Sequence, residues 1–273
     1  LKTQSYVHTI DIHVAGEAFR FLPCHWRWGA DPTLFEEETH QLIKGILQEP
    51  RGHKDLNVCI LAPAHSKKSN GTLLMFNYKG HQKCSTGGFV AAAVYLSDIE
   101  GVQGTSYVFE GHEQQVIVTK RHANDWEIQE DLLSDPSVED VWKIWGQRVV
   151  AKPIPFELTV ETLPECRKIF EKELLEEAPF DLLLLYTSST FITFDTTGHI
   201  DRSPLTGASC YVLCSAHATD MEVANLLGHK AHVSLDRLHS NVRSTMRVRA
   251  EVIAMSRFVF QEKDPFQQGF LLF

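Results

Sequence analysis

No run of about 18 apolar residues occurs in the sequence, so no transmembrane helix is expected. The longest early apolar stretch, Tyr6 to Val14, is interrupted by His8, Asp11 and His13. It also lacks the basic flank and apolar centre of a signal peptide. The chain begins at Leu1 rather than Met, which leaves an upstream segment open. Positive charge is scarce as well: the formal net charge is −9. Lys67-Lys68, Arg243, Arg247 and Arg249 are scattered or alternate with other types. That is the pattern of a solvated face or strand, not of a surface for nucleic acid or anionic lipid. Cysteines are few, and Cys24, Cys59, Cys84, Cys166, Cys210 and Cys214 show no CxxC spacing. Reduced thiols fit this better than a disulfide framework does. Neither HExxH nor a close His/Asp cluster is present, so no metal site is expected. These absences describe a soluble, cytoplasmic protein without a nucleic-acid or membrane partner, and they leave a homodimer open.

What is present is apolar material enough for one large core or two small ones, since 43% of the 273 residues are hydrophobic. Tyr6–Ile12 alternates as a strand, with Phe19–Leu22 as its partner after a turn at Ala15-Gly16. Asp31-Pro32-Thr33 starts a helix that runs to Leu47 and stops at Glu49-Pro50-Arg51-Gly52-His53. Val58–Leu61 and Leu73–Phe76 read as buried strands, and Phe89–Leu96 as a helix entered through Cys84-Ser85-Thr86-Gly87-Gly88. Further strands are expected at Ser106–Phe109, Gln115–Thr119, Leu182–Tyr186, Phe191–Phe194, Thr245–Val252 and Arg257–Phe260. A charged helix spans Pro164–Glu177, and another follows the small-residue run Thr206–Ser209 through Ala218. The polar stretch from His122 to Gln147 is the candidate lobe boundary. Strands and helices mix without a regular βαβ rhythm, so the fold class is α+β.

Two junctions look alike: a strand, a loop of small residues and a short apolar helix surround Cys84, and again Asp201–Ala218. Five blocks around them, in order, resemble the proline racemase family. They are Asp11-Ile12-His13-Val14-Ala15-Gly16-Glu17-Ala18-Phe19-Arg20, Glu49-Pro50-Arg51-Gly52-His53-Lys54-Asp55, the Cys84 loop, Asp201-Arg202-Ser203-Pro204, and Asp264-Pro265-Phe266-Gln267-Gln268-Gly269-Phe270. The stretch between Gly111 and Phe180 matches poorly and is shortened. The resemblance implies two pseudo-symmetric lobes, each a curved sheet or barrel around a central helix, as in diaminopimelate epimerase, with substrate between them. The first lobe would take residues 1–125 and 256–273 and the second 126–255.

Removing the Cα proton of an amino acid needs a base and a cradle for the charge that develops on the carboxylate. A thiol at a helix N-terminus can serve as the base, because the helix dipole and free N–H groups lower its pKa. Those N–H groups can form the cradle. The resemblance makes Cys84 the catalytic candidate. It also implies that Ser85, Thr86, Thr206 and Gly207 present N–H groups, and that Asp201 binds the ring amine of a small cyclic amino acid. No cofactor or metal is then required. On their own residue types the same positions have plainer readings. A cysteine before a helix is usually a small buried hydrophobe, and Asp201 a turn or cap residue. His13 and His53 read as hydrogen-bonded structural groups, and Cys210 and Cys214 as core packing.

The sequence departs from the pattern where the family carries its second catalytic residue. Racemases and epimerases have a cysteine there and trans-3-hydroxy-L-proline dehydratases a threonine, but this chain has Leu205. Racemisation needs proton carriers on both faces of the carbon, and leucine carries none. The first site also reads Cys84-Ser85-Thr86 in place of the family's Cys-Gly-His. The reading placed first is therefore a lyase that abstracts the Cα proton of trans-3-hydroxy-L-proline or a related amino acid and eliminates water. A proline or hydroxyproline racemase with an unconventional second acid, and a catalytically silent ligand-binding relative, are the alternatives.

Overall fold

The computed structural model describes residues 5–23, 37–82, 84–110, 115–132, 135–138, 141–144, 147–175, 180–188, 190–201, 203–205, 220–238 and 241–271. The chain divides into two units, Leu1–Trp126 with Arg249–Phe273 and Glu127–Val248. The first contains β1 (Ser5–Val14), β2 (Glu17–Phe21), α1 (Glu37–Leu47), β3 (Leu56–Ala62), β4 (Gly71–Asn77) and β5 (Gly80–Gln82). There follow α2 (Thr86–Val94), which continues as a π-helical turn over Tyr95–Ile99, then β6 (Ser106–Glu110) and β7 (Gln115–Lys120). Strand β8 (Asp125–Leu132) carries the chain into the second unit, with β9 (Asp135–Val138), β10 (Val141–Ile144), β11 (Gln147–Pro153), α3 (Leu163–Leu175), β12 (Leu182–Tyr186) and β13 (Thr190–Asp195). After it come β14 (Asp220–Asn225), β15 (Lys230–Leu238) and the long β16 (Asn241–Phe260), which returns the chain to the first unit.

The strands around α2 close on themselves. Strands follow one another by hydrogen bonding in the order β1-β2-β3-β4-β6-β7-β8-β16, and β16 pairs back onto β1. Helix α2 touches β1, β2, β4 and β7, and all nine of its residues are buried. Its alanines and glycines make it thin enough to be enclosed. Rings fill the remaining space, with Phe21 stacked on Tyr95 at 4.8 Å and Phe89 tilted against Phe109 at 6.1 Å. Strand β3 is apolar almost throughout because both of its faces are covered. On its other side Ile43, Ile46 and Leu47 of α1 pack with Leu56, Val58, Ile60 and Phe260.

The second unit repeats this connectivity. In the first unit β2 runs parallel to β3 and β4 parallel to β6, with α1 and α2 in the respective crossovers. In the second unit β11 runs parallel to β12 across α3, and β13 parallel to β14 across residues 196–219. Cys84 and Asp201 thus fall in the second crossover of their respective units. Helix α3 buries Cys166 and Phe170 against Leu183, Leu185, Ile192 and Phe194.

Several elements differ from the sequence expectations. Helix α2 begins at Thr86, three residues before the expected start. Strand β16 is one continuous element where two strands were expected. Strands β14 and β15 were not anticipated, and the polar stretch from His122 to Gln147 carries β8, β9 and β10. The expected start of α1 at Asp31 and the expected helix after Thr206 lie outside the described residues.

Candidate functional site

Strand β4 turns through Tyr78 and Lys79 into the short β5, and the chain then reaches Cys84 and the buried helix. Ser85 is the N-cap of α2: its backbone is extended (φ −82, ψ 157), and its Oγ accepts the Gly88 N–H at 3.1 Å. That bond satisfies one of the N–H groups a helix start leaves unpaired. It also explains why a Thr-Gly-Gly sequence, weak in helix propensity, is already helical. The Ser85 hydroxyl lies 3.8 Å from the Met75 Sδ, and Thr86 is buried.

Cys84 is free and half-buried, and its thiol donates to the Leu73 carbonyl at 3.0 Å. Burial pushes its pKa from 9.0 to about 12. A helix N-terminus was expected to lower this value. Loss of solvent around the sulfur is the larger effect, so the group holds its proton at neutral pH. Cys59, fully buried on β3, is pushed up by burial first, then by the neighbouring Cys84 and by Glu17.

Glu17 is the residue the sequence reading passed over. It stands at the start of β2, after the tight turn of Ala15 (φ 44) and Gly16 (φ 99). Gly16 donates to the His13 Nε2 at 2.8 Å, which fixes the turn. The Glu17 Oε1 accepts from the Asn57 Nδ2 at 2.9 Å. Its Oε2 lies only 2.8 Å from where a Cβ on Gly87 would stand, with the Phe19 ring 3.0 Å from the same point. The glycine of the Cys84 loop therefore makes room for a carboxylate of the protein itself. The only sequence sign was the position of Glu17 inside the opening block.

The other blocks of that resemblance build scaffold. Arg20 makes a two-pronged ion pair with Asp11, both bonds 2.8 Å, and also donates to the carbonyls of Ile46 (2.7 Å) and Arg51 (2.6 Å). Arg51 in turn holds the Phe266 carbonyl at 2.9 Å and pairs with Asp264. Glu49 and Phe270 exchange two backbone hydrogen bonds. The His53 Nδ1 accepts the Asp55 N–H at 3.3 Å. The opening, Glu-Pro-Arg-Gly-His and tail blocks are thereby tied together around the end of α1.

In the second unit Asp201 follows β13, and its N–H donates to the Thr193 carbonyl at 3.2 Å. One carboxylate oxygen accepts the Ser203 N–H at 2.9 Å, an Asx turn. Burial raises its pKa from 3.8 to about 6, with the Ser203 bond acting the other way. The chain becomes helical at Pro204 and Leu205. The Leu205 N–H donates to the Ser203 Oγ at 3.2 Å, and its side chain is 0% exposed. Thr206, Gly207, Cys210 and Cys214 lie outside the described residues. Among the described residues no group of three or more His, Cys, Asp or Glu could hold a metal ion. No helix among them is long and apolar enough to cross a membrane.

No protein-family model matches the chain, and no curated protein matches it in sequence. Solved structures do match it. A hydroxyproline epimerase from Agrobacterium vitis with bound trans-4-hydroxy-L-proline superposes with a TM-score of 0.76 at 14% identity, covering 98% of this chain and 95% of that one. A probable proline racemase from Agrobacterium radiobacter with bound carbonate gives 0.75 at 14% identity, covering 97% and 96%. A PhzF-family phenazine biosynthesis protein from Bacillus anthracis gives 0.59 at 10% identity, covering 93% and 99%. The fold is the mixed α+β, sheet-rich, diaminopimelate epimerase-like one shared by proline racemase-like and PhzF-like proteins. The first two of these neighbours are an epimerase and a probable racemase, which lends no support to the dehydratase branch.

Proposed function

We propose that this protein binds a proline-like cyclic amino acid and moves its Cα proton in the manner of a racemase or epimerase, with Cys84 as one of two proton carriers. The observation that carries the reading is the placement of a protonated thiol directly before the capped N-terminus of α2. This occurs in a fold shared with a hydroxyproline epimerase. In this reading the backbone N–H groups of Ser85 and Thr86 receive the ligand carboxylate, and the thiol gives its proton to one face of the carbon. Leu205 carries no proton. Asp201, on the turn that leads to Leu205, has its pKa raised by burial to about 6 and is largely ionised at neutral pH.

One observation favours a second reading. Because Leu205 is packed into the interior, elimination of water from trans-3-hydroxy-L-proline, which needs a single base, stays chemically open.

The test is to incubate the protein with L-proline, trans-4-hydroxy-L-proline and trans-3-hydroxy-L-proline in deuterated buffer. Products are then followed by chiral chromatography and mass spectrometry. Deuterium at Cα with inversion of one of the first two is the expected result. It should fall at least about 100-fold in Cys84→Ser. Ketimine from the third substrate alone would replace this reading with the lyase. Absence of Cα exchange with all three would end both.

A further inference from the structure

Past Ala250, β16 has a neighbouring strand on one side. Strand β1 pairs with it there, from Ala250 to Phe260. Strand β8 flanks the other edge, but only as far as Ala250, whose N–H donates to the Asn124 carbonyl at 3.1 Å just before β8 begins at Asp125. Among the described residues no strand covers that edge from Glu251 onward. An edge of this kind offers its backbone donors and acceptors to another chain. The side chains along it are not the charges that usually guard an edge. Ile253 is 58% exposed, Met255 70% and Val259 39%, all on one row, with exposed Tyr6 opposite Val259 on β1. Ile253 is the extra residue of a bulge against β1, an irregularity that re-aims a side chain. Apolar groups gathered on one exposed strip mark a contact surface. Charges of opposite sign stand on either side of Ile253 and Met255. Arg257 lies over the Tyr6 ring at 4.0 Å and pairs with no carboxylate among the described residues. The Asn124 amide and Arg249 both donate to Oε1 of Glu251, at 3.2 and 3.1 Å, which leaves its Oε2 to accept.

We propose that this edge joins two copies of the chain, with β16 lying antiparallel to its counterpart across a twofold axis at Ala254. A twofold contact uses the same patch twice, so the row has to match its own reverse. With the axis at Ala254 it does: Glu251 falls opposite Arg257 of the partner subunit and Ile253 opposite Met255 of the partner subunit, each pair made twice. Neighbouring registers fail. An axis at Ile253 sets Arg249 against Arg257, and one at Met255 sets Glu251 against Val259 and Ile253 against Arg257. A shift of half a step turns the exposed row towards the half-buried one, because side chains alternate along a strand. Opposite charges directly across antiparallel strands attract and like charges repel, so charge selects the register that the apolar pair then fills. The contact holds whatever ligand the protein takes.

The experiment is sedimentation equilibrium of the whole protein over a range of concentrations, with circular dichroism reporting that each variant is folded. A dimer is the expected mass of the unaltered chain. Met255→Asp should dissociate it. Arg257→Glu sets acid against acid twice and should weaken the dimer by about 10-fold or more. Glu251→Arg sets base against base and should do the same. Combining Glu251→Arg with Arg257→Glu restores both pairs with their signs exchanged, and the dimer should return. A monomer at every concentration overturns the proposal, as does a dimer that Met255→Asp leaves intact. If the single charge reversals weaken the dimer and the double variant does not recover it, the register is wrong and the proposal falls. Should the variants fail to fold, hydrogen exchange of the unaltered protein decides. The amides of Ile253 to Arg257 should exchange more slowly in concentrated than in dilute protein, and equal rates overturn the contact.

Discussion

In the crossover from β4 to β6 the chain enters its helix through Cys84 and a serine cap, whereas the crossover from β13 to β14 passes through Asp201, Ser203 and the buried Leu205. The two connections occupy the same place in the topology of their units, yet their titratable groups stand at different points. In the first, the sulfur adjoins the helix start and is held in its neutral form by burial. In the second, the side chain at the helix start is pure packing. The carboxyl lies four residues earlier, and burial carries its pKa to about 6. Low dielectric acts on both groups in the same sense, favouring the protonated form. Because a thiol begins so much higher than a carboxyl, the same physics leaves an acid in one crossover and a base in the other.

The sharpest way to break this comparison is to truncate the two apolar-looking positions and measure stability. Leu205→Ala removes a side chain with no exposure and should cost about 2–5 kcal/mol through lost transfer and a residual cavity. Cys84→Ala, half-buried and with one weak sulfur hydrogen bond, should cost about 1 kcal/mol or less. Urea unfolding of both variants checks the difference. Equal losses would mean that Cys84 is a packing residue like its counterpart, and the contrast between the crossovers would vanish.

A smaller effect probes the room at the start of α2. Alanine in place of Gly87 would meet the Glu17 Oε2 at 2.8 Å and the Phe19 ring at 3.0 Å, whereas alanine in place of Gly88 meets only side-chain ends at 3.3 Å. Overpacking costs about 1–3 kcal/mol, and the gain in helix propensity returns about 1 kcal/mol. Gly87→Ala should therefore destabilise by about 1 kcal/mol net and Gly88→Ala by less, as read from urea midpoints. The reverse ranking would show that Glu17 yields without resistance.

The legible parts of this molecule were those with a local cause. Alternation and the Ala15-Gly16 turn exposed the first hairpin, and Leu182–Tyr186 and Phe191–Phe194 announced β12 and β13 by apolar runs. Most of what escaped had causes distant in sequence. Thr86-Gly87-Gly88 reads as loop until the Ser85 cap and complete enclosure by strands are known. Strand β14 alternates weakly, but β15 alternates cleanly, with Ala231, Val233 and Leu235 buried between polar residues, and its local signal was overlooked. The Arg51 contact with Asp264 joins residues 213 apart, so the tail block could be seen as a resemblance but not as a clamp. Among the candidate residues, Cys84 and Asp201 came from the family resemblance, since by type alone they read as a buried hydrophobe and a turn residue. Glu17 was not legible, because its relation to Gly87 exists only once the hairpin is folded against α2.

The finest test concerns the proton on Cys84. In the folded chain its pKa stands near 12, against an ordinary 9.0. Below pH 9 the thiol is protonated whether the chain is folded or not, and the contribution of this group to stability is whole. As the pH climbs from 9 towards 12, the unfolded chain ionises while the folded one still holds its proton, so that contribution is progressively lost. The same displacement governs reactivity, since only the thiolate attacks an alkylating agent. Three pKa units lower the thiolate fraction at pH 8 by about 1,000-fold relative to a solvated cysteine. Iodoacetamide labelling of Cys84, followed by peptide mass spectrometry, should therefore be slow at pH 8 and should keep accelerating beyond pH 10. Ser85→Ala removes the cap without touching the sulfur, and it should open the first turn to water and bring the curve back towards its ordinary midpoint. A labelling rate that levels off by pH 9 in the unaltered protein would mean that the sulfur is solvated and ionises as an ordinary thiol.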